Sequence, residues 1–212
     1  MFTGIGVNMQ RAGAIILLLL MGLSPLFAQE EDDDPSIEID WDDYYQDQYT
    51  MGDQTITISL GTVFPAVFLN NGVIIDHQFT PPVGGTGSIA YNHFLTSNFF
   101  IGGEFSGFFL PTLAGNTLFS PQIAFRTGYQ FKIWKLEFPI TLTIGMSWHN
   151  YLNNTYYGLY LKGGAAAFYR ATADWSFGIT TNWGWLPEWT NDPSKNVDGN
   201  IVDLFISARY HF

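Results

Sequence analysis

The chain has no cysteine among its 212 residues. That excludes a disulfide, a thiolate metal site and a cysteine-linked lipid anchor. Charge is scarce as well: Asp, Glu, Lys and Arg make up 13% of the sequence, against about 25% in an ordinary soluble domain. What charge there is lies unevenly. Residues 30–53 carry eleven of the nineteen acids and no Lys or Arg, and the eight acids that follow face seven Lys and Arg. The net charge of −11 therefore describes a tail. It offers no cationic surface, which argues against nucleic acid as a partner. Site motifs are missing too. There is no GK[ST] phosphate loop, no G-x-S-x-G elbow and no H-E-x-x-H pair, and the four His are scattered. The acidic tail lacks the spacing of a calcium loop with its glycine. No metal or cofactor is expected.

Aromatic residues are plentiful at 17%, and 22 glycines sit among many Thr, Ser and Tyr. That mixture favours strands and tight turns. The first 28 residues read differently. Arg11 precedes an apolar stretch from Ala14 to Leu23, Pro25 ends it, and Ala28 sits before Gln29. A core of about ten apolar residues is too short to span a bilayer as a helix and fits a signal peptide. Residues 1–28 are thus expected to be removed. Residues 29–52 form an acidic, disordered tail whose like charges repel, and 53–212 form the folded domain.

From Gln54 onward the apolar period is 2. "TITISLGTVF" places Ile56, Ile58, Leu60 and Phe64 on one face, with Thr55, Thr57, Ser59 and Gly61 on the other. The same alternation recurs in "GTGSIAYNHF", "FFIGGEFSGFF", "QIAFRTGYQF", "LEFPITLTIGMSWH", "YGLYLKGGAAAFY", "WSFGITTNWGW" and "VDLFISARYHF". These are eight strands of about 11–14 residues, long enough for the ~9–11 that a tilted membrane strand needs. Short links at Thr96–Asn98, Lys132–Lys135 and Arg170–Ala173 alternate with longer ones at Leu69–Val83, Pro111–Leu118, Asn150–Thr155 and Pro187–Asn200. Pro139 interrupts one strand and needs a bulge or a locally unpaired position.

The bulky face carries Leu, Ile, Phe and Trp, and the opposite face Gly, Ser, Thr, Asn, Gln and charges. Lipid wants the first, and a narrow barrel interior wants the second. The expected fold is therefore all-β: an eight-stranded antiparallel up-and-down transmembrane β-barrel. Trp148, Trp183, Trp185 and Trp189 near one set of strand ends, and Trp175 near the other, fit interface aromatics. Glu104, Arg126, Lys162, Glu137, Asp203 and Arg209 all fall on the inward face. Buried charges must pair, so a Glu104–Arg126 ion pair with Lys162 nearby is expected, as a plug or a gate.

In its strand pattern and its ending, Gly52–Phe212 resembles the small outer-membrane barrels of the OmpA, OmpX and OmpW type. Members of that class close on an aromatic with apolar residues at every second position before it. Leu204, Ile206, Tyr210 and Phe212 match, and Ala208 matches weakly. The resemblance implies a monomer in the bacterial outer membrane, with lipid around it and its N terminus in the periplasm. It also implies that the barrel-assembly machinery reads the last strand. A non-enzymatic role follows: a structural or surface barrel, or a narrow channel for small or apolar solutes. Two alternatives stand beside it. Ser147 and His149, or Asp76 and His77, would serve a lipid A deacylase or acyltransferase. The Ser147–His149 order is the reverse of the deacylase type, and a spacing of about 6.5–7 Å between residues i and i+2 makes their contact marginal. The loops Leu69–Val83 and Pro187–Asn200 would serve an adhesin.

Overall fold

The computed structural model describes residues 49–75, 82–111, 117–151, 154–189 and 196–212. Its strands are β1 (Gln54–Asn70), β2 (Val73–Ile75), β3 (Gly84–Phe94), β4 (Phe99–Pro111), β5 (Thr117–Ile133), β6 (Leu136–Tyr151), β7 (Asn154–Arg170), β8 (Trp175–Glu188) and β9 (Val197–His211). Each pairs antiparallel with the next around the sheet, and β9 pairs back onto β1. Eight strands thus close a barrel, and β2 is a short return hydrogen-bonded to the far end of β1. Closure leaves no open edge in the barrel, which is how an antiparallel sheet avoids templating other chains.

The strands outrun their sequence limits at the end away from the short turns. β6 and β7 pair as far as Tyr151 and Asn154, so the longer link expected over Asn150–Thr155 shrinks to residues 152–153. Part of the expected loop Leu69–Val83 is strand as well. β1 runs to Asn70, turns through Asn71 and Gly72, and pairs back through β2. Both turn residues have positive φ, 49° and 80°. Asn-Gly tolerates that conformation, and its twist matches the flanking strands.

Proline leaves two kinds of mark. At Pro139 the register between β6 and β7 holds on both sides, Glu137 with Phe168 and Ile140 with Ala165, with no pairing recorded between them. Pro139 keeps its register with Gln130 of β5 and is unpaired on the β7 side alone, and the strand does not bulge there. The bulge occurs in β1, where the register with β9 shifts between Pro65 and Val67.

The side chains divide as the alternation predicts. Leu60, Ile89, Phe105, Ile123, Leu142, Ile179 and Ile206 all point outward and are exposed. Water-soluble monomers rarely expose more than a few hundred Å² of contiguous apolar surface. This belt runs around all eight strands, so its solvent is lipid.

The interior departs from the expectation of small and polar residues. Phe94, Phe100, Phe108, Tyr160, Phe168 and Phe205 are buried on the inward face, with Val63, Leu110, Leu186 and Ile201. Val63, Phe108, Leu110, Tyr160, Leu186 and Ile201 form one apolar cluster toward the long-link end. Tyr49, Phe94 and Phe100 form another at the short-turn end. Glycines make the space: a Cβ on Gly128 would lie 2.7 Å from the Ile140 carbonyl oxygen and run into the Phe100 ring.

Candidate functional site: two buried charge clusters in the barrel interior

β4, β5 and β7 bring the first cluster together at mid-height. Glu104 pairs in register with Ala124 and Gly102 with Arg126, so the two charges sit two residues apart along neighbouring strands and meet diagonally. Arg126 Nη1 donates to Glu104 Oε2 at 2.9 Å. Lys162 Nζ, from across the interior, donates to the other carboxylate oxygen. All three residues are buried. Ser106 donates to Gln122 at 3.1 Å in the same layer. Asp203 is also inward and buried, and its Oδ1, the Tyr160 hydroxyl and Arg126 Nε have no hydrogen-bond partner among the described residues.

The second cluster lies at the short-turn end and centres on Glu137. Its carboxylate is fully buried. Oε2 accepts from Tyr49 Oη at 2.9 Å, Gln130 Nε2 at 3.0 Å and Arg209 Nη1 at 3.0 Å. Oε1 accepts from Arg170 Nη1 at 3.4 Å. Arg209 also donates to Gln130 Oε1 at 3.0 Å, and its guanidinium lies 3.8 Å from the centre of the Phe168 ring. His211 Nδ1 is 3.0 Å from Tyr49 Oη, and its Nε2 is 2.7 Å from Ser176 Oγ. Each carboxylate therefore faces two cations. A lone buried ion costs several kcal/mol, and only such multiple partnering offsets it.

Tyr49 falls in the stretch whose acidic composition reads as a disordered tail. It lies before β1, yet only 3% of it is exposed. Burial pushes its phenol up to about 12 from an ordinary 10.0, so at neutral pH the hydroxyl is protonated and donates to Glu137. Because the folded value is the raised one, the contact is complete below pH 10 and is lost as pH climbs through about 12. Comparing tyrosinate absorbance in the parent and in Tyr49→Phe should reveal one group titrating near 12. A difference centred at 10 would show that the phenol is not buried.

The other sequence candidates fall into two groups. Leu204, Ile206, Tyr210 and Phe212 point outward on and just past β9, and the Phe212 main chain exchanges two hydrogen bonds with Gln54, at 3.0 and 3.1 Å. Trp175 packs on Tyr210 at 5.1 Å near the short turns. Toward the other end, Trp185 meets Trp189 edge-on at 6.3 Å, and Trp183 donates to Asn200 at 3.1 Å. Trp148 is half-buried on the outer face.

Ser147 and His149 correct the spacing argument. Their backbones are two residues apart, but the side chains lean together and Ser147 Oγ lies 2.8 Å from His149 Nε2. Both face the interior and are buried, and among the described residues no carboxylate is hydrogen-bonded to His149. Asp76 and His77 lie outside the described residues. So do residues 1–28 and most of the acidic tail. Among the described residues, no cluster of His, Asp and Glu could hold a metal ion.

A protein-family model matches residues 28–210, which takes in nearly the whole barrel. Among solved structures, the crystal structure of Neisserial surface protein A superposes with a TM-score of 0.57 at 7% identity, covering 76% of this chain and 97% of that one. The chain has the fold of the small eight-stranded outer-membrane β-barrels. At 7% identity this likeness concerns the fold alone. By sequence the chain is similar to two proteins of Treponema pallidum (strain Nichols), both called uncharacterized. One is 30% identical over 129 residues, 61% of this chain and 59% of the relative. The other is 26% identical over 151 residues, 64% of this chain and 51% of the relative. The chain thus spans between half and three fifths of the relatives it matches.

Proposed function

We propose that the chain is a non-enzymatic surface barrel of the outer membrane with a sealed interior, its short turns and N-terminal segment in the periplasm and its longer links outside. The observation that carries the reading is the filled lumen. Arg209 is 2% exposed, Lys162 4% and Glu137 0%, so the interior charges are almost wholly withdrawn from water. An eight-stranded barrel is just wide enough for side chains to fill it. Here they fill it in three layers: the apolar cluster, the Glu104 cluster and the Glu137 cluster. Glu104, Arg126 and Lys162 act as a plug in this reading and not as a gate. A lipid-modifying role would need a nucleophile open to the membrane, and Ser147 and His149 face the sealed side.

Planar bilayers test this directly. The refolded chain should give no sustained ion-conducting steps above the lipid background at neutral pH. Reproducible steps would overturn the sealed reading in favour of a narrow channel.

A further inference from the structure

The mouth at the short-turn end holds a feature that the proposed function does not use. The Tyr49 ring stacks on Phe94 with centroids 4.0 Å apart and planes 19° apart, and Phe94 packs in turn on Phe100 at 5.4 Å. Lys132 Nζ stands 4.3 Å from the ring centre and the Arg170 guanidinium 5.5 Å. The hydroxyl reaches Glu137 and His211 at 2.9 and 3.0 Å. An aromatic wall, cations near the ring, and a carboxylate acceptor with an imidazole nitrogen at its far end are the complement of a phenol.

Tyr49 is not part of the barrel ladder, which begins at Gln54. The segment is clamped just before it. Gly52 N donates to Phe94 O at 2.9 Å, and Phe94 N donates to Asp53 O at 2.8 Å. Thr50 caps a turn with Asp53, its N and Oγ1 donating at 2.7 and 3.1 Å. Gly52 carries φ 107°, a conformation that glycine adopts freely. From that clamp the chain folds back and inserts one ring. Glu137 keeps Arg170, Arg209 and Gln130 as partners without it, so the pocket is organised independently of its occupant.

We infer that this mouth is a phenol-binding pocket and that Tyr49 of the chain's own leading segment is its resident ligand, a tethered stopper separable from the barrel. The inference rests on the geometry of the mouth and holds whether or not the rest of the lumen conducts.

The absence of cysteine makes the test clean. Ser176 is fully buried, with its Oγ 2.7 Å from His211 Nε2, one contact behind the phenol. A Ser176→Cys reporter in the full chain, refolded in detergent, is reacted with a small cationic methanethiosulfonate. Tyr49→Gly should speed the reaction about tenfold or more, the factor for losing one charge-assisted hydrogen bond. Millimolar p-cresol should return the Tyr49→Gly rate toward that of the parent. The folded form is followed by its heat-modifiable gel migration. Equal rates with Tyr and Gly at position 49 would overturn the stopper. A faster rate that p-cresol leaves unchanged would overturn the pocket. A Tyr49→Gly chain that no longer folds would overturn it too, since a stopper must be separable.

Discussion

Replacing Glu137 with alanine is expected to destabilise the barrel by about 3–5 kcal/mol, the range for removing one partner of a buried ion pair. The reason is what stays behind. Arg170 and Arg209 remain in the wall, with 9% and 2% of their side chains exposed, and lose the carboxylate that both contact. Gln130 and Tyr49 each lose an acceptor as well. Glu137→Gln should cost less, because the amide keeps one acceptor oxygen. The measurement is the urea midpoint of the refolded protein in lipid vesicles, followed by tryptophan fluorescence and by gel migration. If the midpoint of Glu137→Ala matches that of the parent, the cluster does not hold the short-turn end together.

Glu104→Ala is the second large effect, also about 3–5 kcal/mol. Arg126 and Lys162 would then sit in one layer without their shared carboxylate. Asp203, buried with Oδ1 unpartnered, is the remaining acid on that face. Pairing Glu104→Ala with Lys162→Met removes one stranded cation and should recover part of the loss. A coupling energy of about 0.5–3 kcal/mol in the double-mutant cycle is the expected size for groups in contact. A strictly additive cycle would show that the Lys162 contact contributes nothing. Conductance should stay at background in Glu104→Ala, because the apolar layer above and the Glu137 layer below are untouched. A plug made of the ion pair alone would open on its removal, whereas three layers in series do not.

Much of this was legible in the sequence. Period-2 alternation assigns the faces of the eight barrel strands, and Glu104 and Arg126 follow from parity once one face is given to lipid. The inward aromatics were implied by the same parity. Phe100 and Phe108 share a face with Glu104, but the expectation that a narrow interior is small and polar overrode the count. Asn71-Gly72 is a readable hairpin signal inside the long link Leu69–Val83. The Glu137 cluster was not legible. Its members come from β5, β6, β7, β9 and the segment before β1, and their heights depend on the stagger of a closed barrel, which no local pattern states. Tyr49 was hidden further by its acidic neighbours, whose composition reads as disorder. Spacing measured between backbones also misjudged Ser147 and His149, whose side chains close the gap.

The Glu137 cluster has a consequence in time. Tyr49 reaches Glu137 across 88 residues of chain and His211 across 162. The His211 contact can form only once β9 has returned to β1. Contacts of such long sequence separation place the chain among slow folders, and this network is completed last. Its substitutions should therefore act on how fast the finished barrel falls apart and hardly on how fast it forms. The cluster sets the lifetime of the folded barrel and leaves its rate of formation to the strands.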